Sequence, residues 1–181
     1  MAYISKLKLT NLQRDILRVL FIKAGASLNQ RAISKILGVS QPAVMKALPK
    51  LEKAELIKVS QDKESKRWSI GLNRTENVIH SKRVDNLKMI YEFGLADFLE
   101  KEFAGATIIL FGSYSRGEDI FNSDIDLAII GRKEKQIGLA KYEKDFEKKI
   151  RINFFPSFRK IHKHLKENIL NGIVLAGGIE L

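Results

Sequence analysis

Phe111-Gly-Ser-Tyr-Ser-Arg-Gly-Glu-Asp-Ile-Phe-Asn-Ser-Asp-Ile-Asp-Leu127 joins a small-residue turn to two carboxylates on the strand that follows it. Before the turn, Ala106-Thr-Ile-Ile-Leu-Phe111 is a short, almost wholly apolar run with β-branched residues, the pattern of a strand buried on both faces. It ends at Gly112-Ser113, where glycine lets a phosphate approach the backbone and the next residues can open a helix whose free N–H groups face an anion. After Ser123, Asp124-Ile-Asp-Leu-Ala-Ile-Ile130 reads as a second strand. Side chains alternate along a strand, so Asp124 and Asp126 share one face while Ile125, Leu127 and Ile129 share the other. Two neighbouring carboxylates repel each other unless a cation lies between them, and hard oxygen ligands at this spacing suit Mg²⁺ held together with substrate phosphates.

Gly112-Ser113, then ten residues, then Asp124-x-Asp126, resembles the signature of the DNA polymerase β-like nucleotidyltransferase superfamily. The Ser115-Arg-Gly117 insert resembles its minimal nucleotidyltransferase branch. The resemblance implies Mg²⁺ (or Mn²⁺) and ATP or another NTP. Asp124 and Asp126 would be the catalytic, metal-binding pair; Gly112, Ser113, Arg116 and Ser123 would bind nucleotide, with Arg116 supporting the turn or neutralising phosphate charge. Members of the superfamily add a third acidic residue on a later strand facing the first two, where it helps hold metal and activates the acceptor hydroxyl. The strand best placed for that role is Ile150 to Phe155, and it contains no carboxylate. Asn153, with Arg151 as the register alternative, stands where the acid is expected. An amide can accept a metal bond through its oxygen but takes up no proton at neutral pH, which puts turnover in question more than binding.

Charge divides the chain. Residues 1–90 carry 18 Lys and Arg against 7 Asp and Glu, whereas residues 91–181 carry 14 of each, so the whole net charge of +11 lies in the first half. Such segregation argues for an acidic partner of that half, nucleic acid above all. With 181 residues, 45% of them hydrophobic, the chain can build two small cores, and without cysteine it has no disulfide or thiolate chemistry. No apolar run approaches a membrane span and the N-terminus lacks the apolar core of a signal peptide, so the expectation is a cytoplasmic protein with no membrane contact.

Within the basic half, Leu12, Ile16, Val19 and Leu20 recur at helical spacing up to a possible stop at Gly25. A second helix is expected from about Asn29 to Leu37, with Ile33, Ile36 and Leu37 inward. Gly38-Val39-Ser40 makes a tight turn, Ser40 is a good N-cap and Pro42 suits the first turn of a third helix, while Pro49 falls discordantly in its interior. Leu56 to Ser60 and Arg67 to Leu72 read as two strands about the polar turn 61–66. Helix, helix, turn, helix and hairpin in this order resemble a winged helix-turn-helix of the archaeal and bacterial regulator type. The resemblance implies double-stranded DNA as partner, with Gln41, Lys46 and Lys50 in the major groove and Lys63, Lys66 and Arg67 at the wing, and a homodimer. A protein-binding module is the alternative.

The chain therefore reads as an α+β, α/β two-domain protein: 1–76 a winged helix-turn-helix, 77–181 a small nucleotidyltransferase α/β domain with a mixed sheet. In the second domain, helix is expected from Asn77 to Phe103 with Leu87, Ile90, Tyr91 and Leu95 apolar and a bend or break at Gly94. Helix is also expected in the second part of 132–149, and from Phe158 to Asn171, closed by Gly172. Two functions compete. One is Mg²⁺-dependent transfer of an NMP, AMP from ATP first, to a hydroxyl of a protein or other acceptor; the family resemblance suggests a HEPN-type toxin as that protein. The other is a nucleotide-sensing transcription regulator with a catalytically weakened nucleotidyltransferase domain.

Overall fold

A computed structural model describes residues 8–64 and 67–180. It divides into two compact units, Met1–Val78 and Ile79–Leu181. No helix among the described residues is long and apolar enough to cross a membrane.

In the first unit, α1 (Asn11–Ile22) opens with a capping box: the Gln13 backbone N–H donates to the Thr10 hydroxyl, and the Gln13 amide oxygen accepts from the Thr10 N–H. Helix α2 (Gln30–Leu37) is capped by Asn29 and stopped by Gly38 at φ +66°. Ser40 accepts from the Ala43 N–H to start α3 (Gln41–Lys53). Pro49 does not end α3, which runs a further turn to Lys53; the Met45 carbonyl loses its helical donor there. Strands β1 (Ile57–Gln61) and β2 (Trp68–Leu72) pair antiparallel, and Leu28 bridges to Ile70. Ile16, Ile33, Val44, Leu51 and Ile70 are fully buried in one core. Ile36 departs from expectation. It is 51% exposed, because the short α2 turns its Ile33 stripe inward and leaves Ile36 off that stripe.

In the second unit, α4 (Glu76–Glu92, counted here from Ile79) and α5 (Leu95–Glu102) are separated at Gly94, whose φ is +73°. Strand β3 (Thr107–Phe111) leads into the single-turn α6 (Gly112–Arg116), and β4 (Ile125–Ile130) follows. A crossover through α7 (Ala140–Phe146) brings β5 (Ile150–Phe155) parallel to β4. The C-terminal helix is shorter than expected: a 3₁₀ turn at Phe158–Lys160 precedes α8 (Lys163–Leu170). After Gly172 comes β6 (Ile173–Ala176), absent from the sequence reading, antiparallel to β3. The sheet is mixed, as expected, with order β5-β4-β3-β6. One face buries Ile109, Phe111, Ala128 and Ile130 against Phe158, Ile161 and Ile169. On the other face Ile108, Leu110, Ile125, Leu127 and Ile129 are equally buried, which explains the unbroken apolar runs of β3 and β4.

Candidate functional site

The end of the sheet where β3 finishes and β4 begins gathers the residues singled out by spacing. Phe111 pairs with Asp126 across β3 and β4. Between them Gly112 has φ +78°, and a Cβ placed on it would lie 2.6 Å from Asp126 Oδ2. A side chain is therefore excluded twice, by backbone conformation and by the carboxylate packed over the glycine. Ser115 Oγ, buried, donates to the Gly112 carbonyl at 2.9 Å and tightens the turn. Gly117 ends it at φ +76°, with the α4 backbone so close that a Cβ would meet Arg83 N at 2.7 Å.

Arg116 is bonded to two neighbours. Its Nε lies 2.7 Å from Glu118 Oε2 and its Nη1 donates to Asn168 Oδ1 on α8, so it supports the turn. Ser113 is half-buried. Ser123 Oγ accepts from the Ile120 N–H at 3.0 Å, fixing the loop that delivers Asp124.

That loop is pinned by a cluster the sequence reading missed. Asp119, 2% exposed, receives Lys82 Nζ and Asn86 Nδ2 on Oδ1, the latter at 2.7 Å, while Lys148 Nζ lies 3.2 Å from Oδ2 as a charge contact. Lys148 also donates to the Ile120 carbonyl at 2.5 Å. Burial pushes the Lys82 ammonium below its ordinary pKa, against the pull of Asp119. The signal was present in α4: its buried stripe is Val78, Lys82, Asn86, Met89 and Ile90, so two polar residues occupy core-facing positions. Tyr91, counted among the apolar residues of this helical pattern, is 49% exposed.

The register of β5 settles which residue faces the aspartates. Arg151 pairs with Asp126, and Asn153 pairs with Ala128, one position further along the same face. Asn153 is thus not opposite the carboxylate pair. Its Nδ2 reaches toward the Leu127 carbonyl at 3.4 Å. The register alternative, Arg151, takes the position instead, and its Nε lies 2.7 Å from Asp124 Oδ2. Burial, then the neighbouring Asp124 charge, raise the Asp126 carboxyl above its ordinary range, with Arg151 opposing. Where β5 begins, the Ile150 N–H donates to Glu143, which is held below the usual carboxylate range chiefly by that bond, with Lys149 adding to it.

The superfamily resemblance places a third acid beside the pair that would hold Mg²⁺ or Mn²⁺. Here the facing group is a guanidinium already paired with one of the two ligands, and no cluster of three or more His, Cys, Asp or Glu placed to hold a metal occurs among the described residues. Such an ion would have to be held by the two carboxylates together with substrate phosphates, and one of the two is paired with Arg151.

In the basic unit Gln41, Lys46 and Lys53 are exposed on α3, and Lys63 and Arg67 are exposed at the hairpin. Lys50 is exposed too, but its ammonium donates to the Lys8 carbonyl. Lys66 lies outside the described residues.

Residues 94–176 match the family model described as a nucleotidyltransferase domain, and residues 9–68 match the MarR family. The two matches fall one in each of the two compact units. Similar solved structures include a mutant of ZitR from Lactococcus lactis, 27% identical over 55% of this chain and 66% of that one, with TM-score 0.42. An S. aureus MepR–DNA complex is 26% identical over 52% and 77%, with TM-score 0.39. The adhesin competence repressor AdcR of Streptococcus pyogenes is 22% identical over 56% and 72%, with TM-score 0.43. This chain spans just under two thirds of the length of the ZitR structure it matches. No curated protein matches it.

Proposed function

We propose that this chain is a DNA-binding regulator whose nucleotidyltransferase domain binds a nucleoside triphosphate, ATP first, as a signal and transfers little or none of it. The observation that carries this reading is Arg151, paired with Asp124 and opposite Asp126, where an active member of the superfamily would hold its third acid. A guanidinium takes up no proton at any accessible pH and so cannot serve as the base for an acceptor hydroxyl. The glycine turn and the carboxylate pair remain, and with them the shape of a nucleotide site.

The winged helix acts on double-stranded DNA in the cytoplasm, as a homodimer. Gln41 and Lys46 enter the major groove, Lys63, Lys66 and Arg67 touch phosphate at the wing, and Lys50 steadies the segment before α1 through Lys8. Support comes from the exposure of the described members of this set and from the charge excess of residues 1–90.

The retained Asp124 and Asp126 pair favours a second reading, an active enzyme moving AMP to a protein hydroxyl, a HEPN-type toxin among the acceptors. The two separate cleanly. The pure full-length protein is incubated with each α-labelled NTP and Mg²⁺ or Mn²⁺, with and without cell extract, and labelled product is sought. The regulator reading expects bound label and no covalent product; labelled acceptor formed by wild type and lost in Asp126→Ala would establish the enzyme instead.

A further inference from the structure

We infer that Arg151 is the resident cation of this site, and that a nucleoside phosphate binds to it without a divalent metal ion. The inference rests on the nucleotide-binding reading above and deepens it. Two carboxylates converging at the mouth of a sheet need positive charge between or beside them. Arg151 supplies it permanently, tethered to the neighbouring strand at the register position of Asp126.

The geometry suits an anion receptor. Arg151 uses Nε on Asp124 at 2.7 Å and makes no other hydrogen bond or ion pair with the described residues, so both Nη groups are open. Its side chain is 70% exposed while that of Asp124 is 22% exposed, which makes the carboxylate the seated anchor and the guanidinium the presented group. An anchored guanidinium offers two parallel N–H donors that match a phosphate bidentately. Of the neighbouring cations, Arg116 is bonded on both Nε and Nη1, to Glu118 and Asn168, Lys148 is buried against Asp119, and Lys149 is paired with Glu143. A divalent ion at the carboxylate pair would lie close to the guanidinium, like charge beside like, and would compete with it for Asp124. Metal is therefore not an addition to this site but a competitor for its anchor.

Titration calorimetry of the full-length protein with ATP as probe tests this, once in EDTA and once in Mg²⁺. Wild type should bind with dissociation constants agreeing within about threefold between the two buffers, and Arg151→Ala should weaken binding in EDTA by about tenfold or more, the equivalent of one charge-assisted hydrogen bond. Arg151→Asp should invert the behaviour, binding ATP in Mg²⁺ and not in EDTA. The exposure of Arg151 makes these variants compatible with folding, which circular dichroism verifies, and Arg151→Lys should retain part of the metal-free binding. Wild-type binding that needs Mg²⁺ by about tenfold or more overturns this inference alone. No ATP binding in either buffer overturns it together with the sensing reading.

Discussion

Gly112 and Asp126 make one unit, since the carboxylate occupies the space a side chain at 112 would need. Gly112→Ala forces an L residue into the left-handed region at a cost of about 1–2 kcal/mol, and displaces Asp126 as well. Urea unfolding should show the loss as a lower midpoint with unchanged slope. Asp126 gives a pH signature. Its folded pKa is raised above the ordinary 3.8, first by burial and then by Asp124. A raised folded pKa contributes stability fully present below 3.8 and lost as pH rises through the folded value, so at neutral pH the ionised group disfavours the fold. Asp126→Asn should therefore be more stable than wild type at pH 7, with the gain shrinking as pH falls toward the ordinary carboxylate range. Denaturant titrations at several pH values check it; a gain that grows on acidification would reverse the sign.

Elements differ in how much of them sequence makes legible, and the reasons are physical. Strands β3 and β4 are apolar on both faces, so their runs stand out; β5 is bounded by Pro156. Strand β6 has four residues between glycines and becomes a strand through pairing with β3, beside Gly172, where an added Cβ would lie 2.5 Å from the Leu110 carbonyl oxygen. Nothing local announces such a partner. The aspartate pair and the glycine turn were legible because they are close in sequence. The residue facing them was not, because the register of a parallel pair is set by the crossover and by packing rather than by the strand itself, and the strand offered both Arg151 and Asn153 on one face. The Asp119 cluster spans α4, the loop before β4 and the turn between α7 and β5, so spacing alone could not join it. It makes a stability prediction: Asp119→Ala leaves two buried lysines without their shared carboxylate and should cost about 3–5 kcal/mol in denaturant unfolding. A loss within the range of an ordinary surface substitution would show that the cluster does not pin the loop.

Over the whole molecule, the charge excess of residues 1–90 makes DNA affinity salt-dependent, because each neutralised phosphate releases counterions. Replacing Lys63, Lys66 and Arg67 together with alanine should weaken binding to every duplex and flatten the logarithmic salt slope by about one for each phosphate no longer neutralised, whereas Gln41→Ala and Lys46→Ala should change sequence preference. Filter binding or fluorescence anisotropy over a salt series separates the two effects. A signal-binding domain joined to a DNA-binding domain also carries a reciprocal requirement: if nucleotide alters DNA affinity, DNA alters nucleotide affinity by the same factor. The most direct test is the dissociation constant of the full-length protein for its duplex, at fixed salt, with and without saturating ATP. A shift of about fivefold or more is expected, the low end of ordinary allosteric coupling, abolished by Arg151→Ala. An identical constant in both conditions, with ATP shown to be bound, would contradict it.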